Sequence, residues 1–350
     1  MDTLFISAQD WLQFVRSIAR KMRVFYPAAH GDDYHLASAG PGECPPVAAS
    51  RYRAVQSMKP LLFDARLDVG GYLGGEESPA RPGIRPDAPD GPQAVIGVKG
   101  CDLRALAVLD FVFTGDVADP FYALNRERTL VISSDCTAFK EVCFCTLVGG
   151  SPHPEGGYDL NLSPVDGGYL VHVGSPRGRA LVEGAAGLFV DPAPAQREEA
   201  SAARARVTAL IEERQRACGY LWGGTTKGLM ERVYESGVWE EEAGRCVECG
   251  ACNFVCPTCH CFLLSDHGRE EFRRMRNWDA CQYKGFARVG GGSNPRPELY
   301  QRLRNRYEKK FHFCPVVIGV CGCTGCGRCV EACIGKIDMR EVLKKLSGCK

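Results

Sequence analysis

The sequence predicts an α/β N-terminal domain, a mixed sheet with helices, followed by an α-helical domain organised around cysteines. Three observations carry this. Short apolar runs alternate with amphipathic helical patterns through the first half. A Gly-rich turn between two strand-like runs marks a hairpin. Fourteen of the twenty cysteines lie from Cys246 onward, in two runs of identical spacing with helical patterns between them. The expected boundaries are 1–195 for the α/β domain, 196–235 for a helical connection and 236–350 for the cysteine-rich domain.

Taken in order, residues 8–22 set Trp11, Leu12, Phe14, Val15 and Ile18 at helical spacing, with Arg16, Arg20 and Lys21 opposite. A first helix packed on its own domain is expected; a membrane-surface helix is the other reading of such a pattern. Residues 28–50 and 70–93 are rich in Gly, Pro and Ala and are expected to be irregular. Residues 94–98 read as a buried strand, and Asp102 as the cap of a helix through Leu106, Val108 and Leu109. Residues 129–133 form another strand, and 158–162 and 169–173 flank the turn Asp166-Gly167-Gly168. Residues 196–218, after Pro192 and Pro194, read as a long charged helix, and 227–238 as a second helix leading into Cys246. Residues 270–276 and 298–311 are expected to be helical, the latter opened by Pro295 and Pro297.

The two runs are Cys246-x2-Cys249-x2-Cys252-x3-Cys256 and Cys323-x2-Cys326-x2-Cys329-x3-Cys333. This spacing wraps thiolates around 4Fe-4S cubes, three from one run and the fourth from the other run when two clusters sit together. The expected ligand sets are therefore Cys246, Cys249, Cys252 and Cys333 for one cluster, and Cys323, Cys326, Cys329 and Cys256 for the other. Small residues at Gly250, Ala251, Gly325 and Gly327 let backbone pass close to the cubes. Zinc sites instead pair short Cys or His couples across a longer gap. The insert at 257–322 is longer than a compact ferredoxin needs, and its helical patterns point to the α-helical type of two-cluster ferredoxin domain.

Cys101, Cys136, Cys143 and Cys145 each follow a predicted strand or lie in the loop beyond it. Ends of neighbouring strands converge in α/β sheets, so these four could hold a third 4Fe-4S cluster, the alternative being buried thiols acting as small hydrophobes. Cys259, Cys261 and Cys281 are read as packing around the nearest cluster rather than holding a further metal. Cys256-Pro-Thr-Cys259-His260 has the spacing of a haem attachment site, but Cys256 is already committed, and His260 is expected to donate a hydrogen bond to its surroundings.

Balanced charge, 43 basic against 42 acidic residues, removes the electrostatic case for nucleic acid. No apolar run is long enough to span a membrane, and the start lacks the pattern of a signal peptide. A reducing cytoplasm suits so many free thiols and is the expected location. No phosphate-binding glycine loop, dinucleotide fingerprint, nucleophile elbow or His-Glu-x-x-His zinc motif occurs. No catalytic residue is therefore assigned. Arg296, Arg302, Arg304, Lys309 and Lys310 read as a solvated basic helix face, or as a docking surface for an acidic partner.

Several segments together resemble a known family. They are Gly97-Val-Lys-Gly-Cys101-Asp-Leu-Arg-Ala-Leu106, Asp119-Pro-Phe-Tyr122, Cys143-Phe-Cys145, Cys256-Pro-Thr-Cys259-His-Cys261-Phe262, Trp278-Asp-Ala-Cys281 and Gly291-Gly-Ser-Asn-Pro-Arg296. The chain resembles, over about residues 55–345, the iron–sulfur β subunits of cytoplasmic sulfhydrogenases and NiFe hydrogenases, a group that also includes the corresponding iron–sulfur component of anaerobic sulfite reductase. The resemblance implies an electron-transfer subunit between a flavin subunit that handles NAD(P)H, or a ferredoxin, and a catalytic subunit such as a hydrogenase, sulfite reductase or heterodisulfide reductase. A catalytic iron–sulfur protein with a substrate-binding cluster in the N-terminal domain is the alternative. Ile334 stands where such runs usually carry Pro.

Overall fold

A computed structural model of the chain describes residues 3–43, 49–73, 76–78, 91–222, 225–268 and 271–349. Cys44, Gly74, Gly75 and the prolines between 79 and 89 lie outside the described residues.

The N-terminal half is organised on a seven-stranded mixed sheet. Its strands are β1 (Thr3–Ser7), β2 (Arg23–His30), β3 (Asp33–Ala39), β6 (Gln93–Val98), β7 (Thr129–Ser134), β8 (Leu160–Val165) and β9 (Gly168–Val173). They are ordered β1-β9-β8-β7-β6-β2-β3. The central pairs β2–β6, β6–β7 and β7–β8 are parallel, and the outer pairs are antiparallel. Because side chains alternate along a strand, the sheet has two apolar faces to cover. Ala94 and Ile96 face one core with Ile132, Leu160 and Val171, closed by Trp11, Phe14, Val15 and Ile18 of α1 (Ala8–Ala19). Val95 and Val98 face the other, closed by Leu103, Leu106 and Leu109 of α3 (Gly100–Thr114) and by Leu61 and Leu62 of α2 (Lys59–Leu62). The Ser7 hydroxyl caps α1 by accepting from the Asp10 amide at 3.1 Å. Helix α4 (Pro120–Arg128), capped by Asp119, leads into β7, and α5 (Pro176–Glu183) follows the predicted β8–β9 hairpin.

The long helix α6 (Pro194–Ala217) connects to a helical region comprising α7 (Thr226–Arg232), α8 (Val238–Ala243), α9 (Ala251–Phe254), α10 (Leu299–Glu308), α11 (Cys314–Val317), α12 (Arg328–Glu331) and α13 (Met339–Ser347). Trp239, Leu303, Tyr307, Phe311, Val342, Leu343 and Leu346 form its core. Among the described residues no helix is long and apolar enough to cross a membrane.

Several local expectations are corrected. Residues 28–39 are not irregular: β2 and β3 form a hairpin turning at Gly31-Asp32. Pro27 is tolerated inside β2 because the ladder to β6 ends at Phe25, so the missing N–H breaks no pairing there. Residues 66–73 and 76–78 also form strands, β4 (Arg66–Leu73) and β5 (Glu76–Ser78). Residues 271–276 are strand rather than helix. They belong to β11 (Glu271–Trp278), which pairs with β10 (Phe262–His267). These four strands make a second sheet, ordered β10-β11-β4-β5. Cross-strand ion pairs offset the weak strand propensity of the Arg-rich segment: Arg273 meets Asp68 at 2.6 Å and Arg274 meets Asp266 at 2.8 Å. The insert between the cysteine runs is thus part hairpin, not wholly helical. The helix expected over 227–238 breaks into α7 and α8 around Ser236-Gly237. Asp102 is not a cap; Lys99 holds that position and Asp102 lies in the first turn of α3.

Candidate metal centre

The two cysteine runs fold alike, as their shared spacing requires. In each, the Gly after the second Cys is left-handed, Gly250 at φ 71° and Gly327 at φ 72°. Each Gly opens a four-residue helix, α9 or α12, carrying the third Cys. A side chain at either position would meet both this backbone conformation and a close neighbour, Tyr283 or Val142.

Cys246, Cys249, Cys252 and Cys333 line one cavity together with Cys329, Arg306, Tyr307 and Met339. The structure therefore brings the fourth Cys of the second run to the first three of the first run. The Ile337 amide donates to Cys333 Sγ at 3.3 Å, the kind of N–H···S bond that stabilises charge on a ligand sulfur. Cys249 is exposed, so this outer site lies at the surface.

Cys256, Cys323 and Cys326 each neighbour Cys329, which also lines that cavity. Burial pushes the Cys329 thiol up to about 11 against the pull of Arg306, and Cys326, Cys256 and Cys252 add to the shift as its neighbouring thiols. Cys256 goes the other way. A hydrogen bond from Cys259, together with the Lys310 and Arg306 charges, outweighs burial and favours its thiolate. Lys310 Nζ lies 3.2 Å from Cys256 Sγ.

Cys101, Cys136, Cys143 and Cys145 line a third cavity with Arg53, Gly100, Gly325 and Cys326. Cys101 follows β6 and Cys136 follows β7, the carboxyl ends of adjacent parallel strands, where such sheets open a crevice. The Phe144 amide donates to the Gly325 carbonyl at 2.8 Å, so the loop carrying Cys143 and Cys145 rests directly on the second run. Burial pushes the Cys136 thiol up to about 11, opposed by buried Lys99. Lys99 Nζ donates to Ser134 Oγ at 2.8 Å and the Asp135 carbonyl at 2.9 Å. Thiols held protonated by burial ionise when a cation binds them. The three groups share walls, since Cys329 also reaches the outer cavity and Cys326 the inner one.

The donor set fits iron–sulfur cubes, all soft thiols in fours. Among the described residues buried Arg306 Nε has no acceptor, which leaves a cation facing the outer cavity in need of an anionic partner. Among the remaining thiols, Cys259 contacts Cys256 and Cys261 contacts Cys281, to which Asn253 donates at 3.1 Å. His260 Nδ1 is bonded to the Thr258 carbonyl at 3.0 Å, and burial lowers its pKa to about 4.

The basic helix face is corrected in part. Arg302 and Lys310 are buried, and Arg302 pairs with Glu248 and donates to the Gln282 carbonyl at 2.9 Å. Arg306, buried beside both ferredoxin-type sites, carries no motif and could be found only from the fold.

A family model described as a 4Fe-4S dicluster domain matches residues 245–337, a span containing all eight cysteines of the two runs. The sulfhydrogenase 2 subunit beta of Pyrococcus furiosus is 32% identical over 262 residues, covering 73% of this chain and 75% of that protein. With a 4Fe-4S dicluster domain behind an α/β domain, and identity of this extent, the chain belongs to the family of iron–sulfur β subunits found in sulfhydrogenases.

Proposed function

We propose that the chain is the electron-relay subunit of a cytoplasmic multi-subunit oxidoreductase. It passes single electrons between a flavin/NAD(P)H or ferredoxin-linked partner and the catalytic subunit. Cys246, Cys249, Cys252 and Cys333 hold an outer 4Fe-4S cluster. Cys323, Cys326, Cys329 and Cys256 hold a middle one, and Cys101, Cys136, Cys143 and Cys145 an inner one. When bound, each cube supplies a one-electron couple. The chain's own part is to bury the thiolates, space them and balance their charge.

The observation that carries this reading is the row of three cysteine quartets with shared walls, Cys329 between outer and middle and Cys326 between middle and inner. Such a row leads from exposed Cys249, flanked by Val247 at 59% exposure and Ile334 at 68%, to the strand ends of the α/β domain. A surface apolar rim around an exposed ligand suits a partner protein that exchanges electrons there. The relay is favoured over a catalytic inner centre because that site offers four buried or half-buried thiols, which leaves no corner of a cube open to substrate.

Iron and acid-labile sulfide in anaerobically purified protein test the proposal. About 12 irons per chain are expected, and about 8 would remove the inner cluster. Zinc in place of iron would remove the function altogether. Copurifying chains identify the catalytic partner.

A further inference from the structure

We infer that Arg306 and Lys310 form a cationic seam that raises the reduction potentials of the outer and middle clusters above what the thiolates alone would give. This deepens the relay reading and rests on it. Arg306 sits near the end of α10, and Lys310 one turn later in the π-helical turn Lys309–Phe313. At four residues apart, both project to the same side of the chain, and both are buried, at 5% exposure each. Arg306 lines the outer cavity, and its Nη2 donates to the Cys252 carbonyl at 3.2 Å. Lys310 Nζ reaches Cys256 Sγ at 3.2 Å, Thr258 Oγ1 at 2.9 Å and the Gly322 carbonyl at 3.2 Å.

Among the described residues neither cation has a carboxylate partner. Burial works against both charges, and the opposing attraction comes from cysteines: Cys252, Cys329, Cys259 and Cys256 for Arg306, and Cys256, Cys259 and Cys323 for Lys310. A buried cation without a counter-charge is costly. Around the inner cavity the arginines are compensated in the ordinary way, whereas buried Lys99 donates, among the described residues, only to the Ser50 carbonyl, Ser134 Oγ and the Asp135 carbonyl. Arg53 is paired with Glu331, Arg328 with Asp102 at 2.5 Å, and Arg204 with Asp135 at 2.7 Å. The seam is therefore neutralised only by thiolates and whatever they hold. A cube with four thiolates becomes more negative when it takes an electron, so a fixed positive charge beside it stabilises the reduced form more than the oxidised form. The inner site has a buried cation of its own, Lys99 beside Cys136, so the seam concerns the outer and middle sites and does not rank them against the inner one.

The test is a potentiometric titration followed by electron paramagnetic resonance, on the anaerobically purified full chain, with iron counted in each sample. Lys310→Met should shift the middle-cluster midpoint to more negative potential. Arg306→Leu should shift both ferredoxin-type midpoints, and the inner-cluster signal should stay in place. Lys310→Arg and Arg306→Lys should keep the wild-type values. Should Lys310→Met lose iron while Lys310→Arg keeps it, the same charge requirement is read out. Neutral variants with full iron and unmoved midpoints overturn the seam, as does equal iron loss in both Lys310 variants. Wild-type protein devoid of iron overturns the relay reading instead.

Discussion

Arg328 lays its guanidinium along the Asp102 carboxylate, Nη1 to Oδ1 at 2.5 Å and Nη2 to Oδ2 at 2.9 Å, with both side chains buried. The pair ties the third-cysteine helix of the second run to the first turn of α3, one residue after Cys101. It therefore fixes the middle quartet relative to the inner one, with the bidentate geometry that Arg supplies and Lys does not.

Removing one partner of such a pair leaves an uncompensated buried charge, which costs about 3–5 kcal/mol. Asp102→Ala should lower stability by about that much, tempered by the bonds Arg328 keeps to the Ala54, Val55 and Gln56 carbonyls. The shift in the guanidinium unfolding midpoint, measured anaerobically, checks this. A loss under about 1 kcal/mol would mean the pair is exposed in solution.

Gly325 has φ 67°, and a Cβ there would lie 2.5 Å from the backbone N and Cα of Cys145. Left-handed strain and overpacking each cost about 1–2 kcal/mol. Gly325→Ala should therefore destabilise the protein by about 2 kcal/mol or more and preferentially release inner-site iron. Full iron content and an unchanged unfolding midpoint in that variant would show that the second run and the Cys145 loop do not touch as described.

What the sequence revealed and what it hid follow from where each constraint lies. The spacing of Cys246–Cys256 and Cys323–Cys333 was readable because each run is local in sequence, and the approach of Cys101 to Cys136 because they follow adjacent parallel strands. Arg306 and Lys310 were not, because a charged helix shows one polar pattern whether its face meets water or a buried thiol. Strand β11 was misread because its Arg and Glu residues favour helix in isolation, while Asp68, an ion-pair partner that holds it in the sheet, lies some two hundred residues away. The hairpin at 23–39 was hidden because Ala28, Ala29, Gly31 and Ala37 are poor strand formers taken alone, and the pairing of β2 with β3 supplies what they lack.

The proposed crossing of ligands between runs can be separated from a simpler arrangement in which each run holds its own cube. Cys256→Ala should remove the middle cluster and leave the outer one, although Cys256 belongs to the same run as Cys246, Cys249 and Cys252. Cys333→Ala should do the reverse. Iron should fall by up to about four per chain in each case. The signal that survives identifies the cube, since only the outer one, beside exposed Cys249, should broaden with a paramagnetic relaxing agent in solution. The opposite survival pattern would assign one cube to each run.

His172 connects the sheet to α6. Its Nδ1 lies 3.3 Å from Thr3 Oγ1, and its Nε2 lies 3.0 Å from Ser163 Oγ and 3.3 Å from Arg204 Nη2. Burial, and then the Arg204 charge, lower its pKa from 6.5 to about 4, with Asp135 opposing and Arg197 adding slightly. The folded chain thus binds this proton more weakly than the unfolded chain. Between those two values the unfolded state carries more protons, so stability is full above pH 6.5 and declines as pH falls toward about 4. His172→Gln removes this titration while offering Ser163 and Arg204 a polar neighbour. Unfolding midpoints compared at pH 7.5 and near pH 5, in wild type and variant, should show a smaller acid loss in the variant. Equal losses in both proteins would place His172 in solvent or already charged in the fold.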